Sequence, residues 1–204
     1  HPSAWLHAEY DQIKDPEGKA DIIFKLDSGC VYFYNMDARD FFGKCKNIRF
    51  GDVYHLAAII GGRITIESEP LKVATDLSID AQFFNWVIRS RPARILYASS
   101  SAAYPTHLQN CDNPPKLRED HVQFEDYIGS PDMTYGWAKL TGEYLAHLAA
   151  QKYGLHVAVV RPFSGYGEDQ DFSYPVPSIA RRAYQHQDPL TIWGSGRQVR
   201  DFIH

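Results

Sequence analysis

Tyr135 and Lys139 stand four residues apart in Tyr135-Gly-Trp-Ala-Lys139, a spacing that sets a phenol and an ammonium on one face of a helix. Such a pair can move a proton. A free tyrosine titrates near 10, and bringing it to about 7 requires favouring the phenolate by about 4 kcal/mol, which a fixed cation can supply where water is scarce. Lys139 is that cation. The alternative is an exposed tyrosine beside a solvated lysine, since a chain with 13 tyrosines carries about one Y-x-x-x-K by chance. The pair acquires chemical meaning through its companions.

Ile95-Leu-Tyr-Ala-Ser-Ser-Ser101 is an apolar run ending in three hydroxyls, Ser99, Ser100 and Ser101. A serine at such a strand end can orient a substrate hydroxyl, or can simply lead the chain into a loop. Asp52-Val-Tyr-His-Leu-Ala-Ala58 is a second such run, closing on Leu56, Ala57 and Ala58 and followed by Gly61-Gly62. Small residues there let a cofactor approach the backbone closely; a buried strand followed by a flexible turn has the same pattern. Asp37, after the apolar run 31–35, can accept a hydrogen bond from an adenine amino group or cap the helix that follows.

The elements that must position these residues are short. Runs 31–35, 52–56, 94–98 and 157–161 are too short for helices and rich in β-formers. Helical spacing fills residues 70–89, opened by Ser68-Glu69-Pro70, and residues 133–153, closed by Gly154. The alternation β-α-β-α predicts an α/β fold, a doubly wound parallel sheet covered on both faces, with ligands beyond the carboxyl ends of its strands. After Arg161 the texture turns to Gly, Pro and aromatic residues, with a helix over 177–186 and a short strand over 190–193, the start of a smaller lobe. Residues 109–131, rich in Pro, Asn and Asp, read as one long loop.

Composition excludes several functions. The chain has 204 residues, is 44% hydrophobic and 23% charged, and can bury a core of ordinary size. A net charge of −4 offers no positive field for nucleic acid. Apolar runs fall far short of the roughly 20 residues that cross a bilayer, and nothing resembles a signal peptide, so the expected location is cytoplasmic, away from membranes. Cys30, Cys45 and Cys111 form no C-x-x-C pair and the nine histidines no H-E-x-x-H, so no metal site is expected.

Taken in order, Asp37-Ala-Arg-Asp40, His55-Leu-Ala-Ala58, Tyr97-Ala-Ser-Ser100, Tyr135-x-x-x-Lys139, Arg161-Pro-Phe163 and the stretch Gly194-Ser-Gly-Arg-Gln-Val-Arg-Asp-Phe-Ile-His204 resemble the extended short-chain dehydrogenases that act on nucleotide sugars. The resemblance implies a Rossmann-like domain, incomplete here, over 1–165, and the start of a nucleotide-sugar-binding lobe over 166–204. It implies NAD as cofactor, a nucleotide-sugar substrate and a homodimer formed through the helices 70–89 and 133–153. Ser100, Tyr135 and Lys139 would be catalytic. Asp37, Ala38, Leu56, Ala57, Ala58, Ala98, Ser99, Pro162 and Phe163 would line the cofactor together with Tyr135 and Lys139. Gly61, Gly62, Ser101, Ser164, Arg182, Trp193 and Arg200 would hold the substrate.

The departures from the family are informative. Where the dehydratases carry an acidic pair and the decarboxylases a glutamate, this chain has Ser101 and Ala102; where fucose synthase carries a cysteine it has Ala102, with Tyr174 in place of the second acid or base. The expectation is therefore epimerisation through a 4-keto sugar, ahead of 4,6-dehydration, an NADPH-linked reduction of a non-sugar carbonyl or a non-catalytic NAD-binding scaffold. No glycine-rich loop of the G-x-x-G-x-x-G kind follows an apolar strand, which points to a chain cut at both ends. Calorimetric titration of residues 1–204 alone is accordingly expected to show no tight binding of NAD; tight binding would contradict this reading.

Overall fold

A computed structural model of the chain describes residues 11–13, 22–26, 29–45, 48–59, 63–109, 113–192, 196 and 199–204. Two compact units divide it, His1–Phe41 and Phe42–His204. In the first, strands β1 (Asp11–Ile13), β2 (Ile22–Leu26) and β3 (Gly29–Phe33) form an antiparallel meander in the order β1-β2-β3, with Leu26 opposite Gly29 and Ile22 opposite Phe33. The strand expected at 31–35 therefore begins two residues earlier and pairs with its sequence neighbour in an antiparallel ladder, outside the parallel sheet. A run of β-formers fixes the extended backbone but carries no record of its partner's direction. Helix α1 (Ala38–Lys44) follows.

The second unit holds the parallel sheet. Strands β4 (Asp52–His55), β5 (Arg94–Ala98) and β6 (Val157–Val160) lie in the order β4-β5-β6, with Asp52 opposite Arg94, Tyr97 opposite both His55 and Val159, and Ala98 opposite Val160. The ladder continues past the strand ends, as Ser99 N–H donates to the Val160 carbonyl at 2.9 Å and Ser101 N–H to the Pro162 carbonyl at 3.2 Å. All three carboxyl ends thus stand side by side, where an α/β sheet presents its ligand groups.

Three helices link β4 to β5: α2 (Arg63–Ser68), α3 (Pro70–Val73) and α4 (Thr75–Ser90). The helix expected over 70–89 starts at Pro70 as anticipated, but breaks between Val73 and Thr75. Helix α5 (Met133–Tyr153) has the expected bounds and ends on Gly154, whose left-handed φ of 66° lets the Gly154 and Leu155 amides cap the Ala150 and Ala149 carbonyls. Helix α6 (Pro175–Tyr184) starts two residues before the expected 177–186; its N-terminal prolines suit a first turn. Strands β7 (Ser164–Gly165) and β8 (Phe202–Ile203) pair in parallel, whereas residues 190–192 form no strand.

Helices α4 and α5 pack side by side on one face of this sheet. Phe83 of α4 stacks on His55 at 3.9 Å between ring centres, Phe84 lies 5.7 Å from Tyr97, and Phe42 stacks on Trp86 at 5.4 Å. Phe83, Trp86 and Val87 are buried to 2% exposure or less, each worth about 1.5–3 kcal/mol of apolar burial. The opposite face carries exposed Tyr54 and Val160, so burial alternates along β4 and β5 instead of covering both faces. Within the expected loop, Leu117, Val122, Phe124 and Ile128 pack with Ala103, Tyr104 and Leu140 in a small core. No helix among the described residues is long and apolar enough to cross a membrane.

The contact of α5 with β5 has no slack. A β-carbon at Gly142 would meet the Tyr97 hydroxyl at 1.8 Å and the Asp80 carboxylate at 2.5 Å. Gly142→Ala in the full-length protein is expected to lower the free energy of unfolding by about 1–3 kcal/mol in urea titrations. Gly51→Ala, where an added β-carbon meets nothing within 4 Å, is expected to leave it near wild type.

Candidate active site

The carboxyl end of β5 and the first two turns of α5 build the site. After Ala98 the chain passes through Ser99 and Ser100 into a tight turn, Ser101–Ala103, in which the Ser100 hydroxyl accepts the Ala102 amide at 3.1 Å. That turn is bonded to the start of α5, because the Ala102 carbonyl accepts the Asp132 amide at 3.0 Å. Gly136 makes the approach possible: a β-carbon there would sit 2.4 Å from the same carbonyl. The start of α5 is thereby held against the Ser100 turn, and the Ser100 hydroxyl acts to ease the Tyr135 phenolate.

Lys139, one turn further along α5, is 4% exposed and donates to the Ala98 carbonyl at 3.0 Å. Its ammonium lies 5.8 Å from the centre of the Tyr135 ring and 5.5 Å from that of Tyr97. The simple expectation that Lys139 draws the Tyr135 phenol below its ordinary value is not what the surroundings impose. Burial pushes Tyr135 up, the Ser100 hydroxyl works against the rise, and the charges of Asp76 and Asp80 add to it. Burial likewise pushes Lys139 down, with Asp80 and Asp76 opposing. Both groups are displaced towards their neutral forms, as a site with little water requires.

The remaining candidates divide by location. Ala57 and Ala58, half-buried, and exposed Leu56 follow β4. Ser99 is buried and its hydroxyl donates to Glu143, so of the three serines Ser100 is the one that acts on Tyr135. Ser101 sits in the turn, Pro162 and Phe163 follow β6, and the Phe163 ring lies 5.9 Å from Tyr104. Ser164 lies in β7; Arg182, on α6, donates to the Ser178 carbonyl at 3.3 Å and to that of Thr191, and Arg200 is exposed before β8. Asp37 and Ala38 belong to the first unit. There the Asp37 carboxylate accepts the Arg39 guanidinium at 2.7 and 2.9 Å and the Arg39 amide at 2.8 Å, which holds it at about 2. Gly61, Gly62 and Trp193 lie outside the described residues, as does Cys111. No cluster of three metal-binding side chains occurs among the described residues.

Three buried carboxylates essential to this geometry were not among the site residues expected from the sequence. Glu143, 3% exposed, binds the Arg161 guanidinium through both oxygens at 2.8 and 2.6 Å; Arg161 also donates to the Glu119 carbonyl at 3.2 Å and lies 4.7 Å above the Tyr104 ring. Burial opposes the Arg161 charge, yet Glu143 and Tyr104 raise it well above its ordinary value. Asp76 and Asp80 lie on the inner face of α4, at 1% and 2% exposure. A signal existed: both occupy the i, i+3, i+4 stripe that also contains Val73, Ile79 and Phe83, and a carboxylate inside an apolar stripe must have an internal partner.

A parallel sheet whose carboxyl ends offer small residues and a hydroxyl beside a half-buried tyrosine and a buried lysine is a frame that suits a dinucleotide. The chain belongs to the NAD dependent epimerase/dehydratase family, whose model matches residues 17–204. It is similar to an uncharacterized UDP-glucose epimerase of Bacillus subtilis, 43% identical over 77 residues that make up 37% of this chain and 23% of that one. It is also similar to the GDP-L-fucose synthase of Escherichia coli, 25% identical over 88% of this chain and 54% of that protein. Among solved structures, the UDP-glucuronic acid 4-epimerase of Bacillus cereus superposes with a TM-score of 0.62 at 25% identity, over 82% of this chain and 48% of that one. With the longer of these matches, the chain spans about half the length of its relatives.

Removing one partner of the buried Glu143–Arg161 pair strands the other charge. Glu143→Ala is expected to lower the stability of the full-length protein by about 3–5 kcal/mol, measured by urea unfolding. Replacing both residues by methionine is expected to recover most of that loss.

Proposed function

We propose that this chain carries the catalytic core of a nucleotide-sugar epimerase that works through a transient 4-keto sugar, with Tyr135 as the base. One observation carries the reading: Lys139, 4% exposed, is anchored to the Ala98 carbonyl one turn along α5 from Tyr135, beside the Ser100 turn, where burial displaces both Tyr135 and Lys139 towards neutrality. A hydroxyl pair of this kind can grip a sugar hydroxyl between them, and the low polarity strengthens every charge that forms there.

The residues present fit NAD. Ala57, Ala58 and Ala98 place little side-chain bulk at the carboxyl edge of the sheet, and the Lys139 ammonium has three donors, of which the Ala98 carbonyl takes one. When bound, NAD would supply a reversible hydride acceptor for the sugar C4. Ser100 orients the sugar 4-hydroxyl towards Tyr135. Tyr135, as phenolate, takes the hydroxyl proton and gives it back to the 4-keto oxygen after the sugar has presented its other face. Lys139 stabilises the phenolate and donates to ribose hydroxyls. Arg182, fixed by the Ser178 and Thr191 carbonyls, and Arg200 are assigned to the substrate diphosphate, whose planar anionic groups suit guanidinium forks. Gly61, Gly62, Ser101, Ser164 and Trp193 complete that subsite. The Bacillus cereus 4-epimerase, solved with UDP-glucuronic acid and NAD, supports this substrate and cofactor class. A homodimer formed through α4 and α5 belongs to the same reading.

Ala102 cannot move a proton, so neither elimination of water nor inversion beside the ketone has a second acid or base at that place. Incubation of the full-length protein with a panel of nucleotide sugars in D2O is therefore expected to invert C4 without deuterium entering the product, because the hydride never leaves the site. Deuterium at C3 or C5, or loss of water, would overturn the reading. Tyr135→Phe is expected to lower kcat by about 10²–10⁴-fold while calorimetry shows NAD affinity nearly unchanged.

A further inference from the structure

Helix α4 brings two carboxylates into the interior one turn apart, and they are treated differently. Asp80 is satisfied at both oxygens: Oδ1 lies 2.8 Å from Nε2 of His55, and Oδ2 accepts the Tyr97 hydroxyl at 2.6 Å. Asp76 is half satisfied. Its Oδ1 accepts the Ile59 amide at 2.6 Å, but its buried Oδ2 has no hydrogen-bond partner among the described residues. A buried carboxylate oxygen without a donor costs about 1–3 kcal/mol or more, so this one weakens the fold and calls for another explanation.

The surroundings supply one. Asp76 faces Lys139 and Tyr135 on α5 and His55 on β4, with Asp80 on its own helix. Tyr97 on β5 also feels its charge, together with that of Glu143 on α5; Tyr135 is faced in addition by Ser100 and by Tyr174 ahead of α6. Among these groups Lys139 is the foremost cation acting on Asp76. The segment that Asp76 pins, at Ile59, leaves the carboxyl end of β4 directly after Ala57 and Ala58.

We propose that Asp76 is a positioning residue of the reaction, whose carboxylate charge sets the proton balance of Tyr135 and Lys139 while its other oxygen pins the Ile59 amide. This rests on the reading of Tyr135 as the base and adds the group that governs when it is one. A negative charge at Asp76 favours the Lys139 ammonium and opposes the Tyr135 phenolate. Without that charge, both groups give up their protons at lower pH. A merely structural role has a different signature: loosening that admits water eases both charged forms, so Tyr135 would titrate lower and Lys139 higher.

Asp76→Asn keeps the shape and the acceptor for Ile59 while removing the charge. In the full-length protein carrying ¹³C-labelled tyrosine and lysine, assigned with Tyr135→Phe and Lys139→Arg, NMR titration of this variant is expected to move Tyr135 and Lys139 down together by about 1 pH unit or more. The acidic limb of the kcat/KM profile is expected to move down with Tyr135. An unmoved pair, or a Lys139 that titrates higher, overturns the proposal. If the variant does not fold, titration of wild-type protein decides: protonation of Asp76, followed at its carboxyl carbon, must register at both Tyr135 and Lys139, and silence at either one overturns the proposal. Failure of the epimerase reading shows in the product analysis, and failure of this one in the titrations.

Discussion

Helix α5 lies so close to strand β5 that the Tyr97 hydroxyl occupies the space beside Gly142 where a β-carbon would stand. The rest of the site depends on that approach. One residue beyond Gly142, Glu143 meets Ser99 and Arg161 at the ends of β5 and β6. One turn before it, Lys139 reaches the Ala98 carbonyl, and a turn earlier again Gly136 lies against the Ala102 carbonyl. A single helix face thus grips the end of one strand at four successive places. Two glycines set the distance and the polar groups set the register. A helix displaced outwards by the width of a methyl group would lose all of these contacts together, since each requires a separation near 3 Å.

The approach also determines the electrostatics. By closing the space between α4, α5 and the sheet, it surrounds Asp76, Asp80, Glu143, Lys139 and Tyr97 with side chains in place of water, and charges there are worth several times what they are at the surface. The polar groups respond in pairs. Glu143 holds Arg161, Asp80 holds His55 and Tyr97, and Asp76 accepts a backbone amide on one oxygen. By contrast the bidentate Asp52–Arg94 pair at the other end of the same strands is largely exposed, where water screens it and it contributes little. Strong electrostatics are concentrated at the carboxyl edge of the sheet.

Much of this was legible in the residues. The strand 94–98, the helix 133–153 with its glycine stop and the pairing of a tyrosine with a lysine on one helix face all follow from local rules: β-formers in a short run, a period of 3.6 and a left-handed cap. Those rules act over a few residues and are written wherever the residues are. The order of motifs likewise pointed to the family that the chain belongs to. The pairing of the strand at 29–33 and the break at Ala74 depended on partners distant in sequence. Ser99 differs from Ser100 only in which way its side chain points from an extended backbone, and Glu143 claims the one that points inwards.

The sequence by itself determined the elements, the order in which their chemical groups appear and the class of reaction those groups can serve. Only the tertiary structure decided how water and charge are distributed among them. Lys139 reads in the sequence as the group that acidifies Tyr135, yet once the helix is seated on the sheet, burial acts against both charges and two aspartates from α4 act on each. The reason is physical. Propensity and spacing are properties of neighbours along the chain, whereas the free energy of a charge depends on everything within a few ångströms, and that company is assembled only by folding.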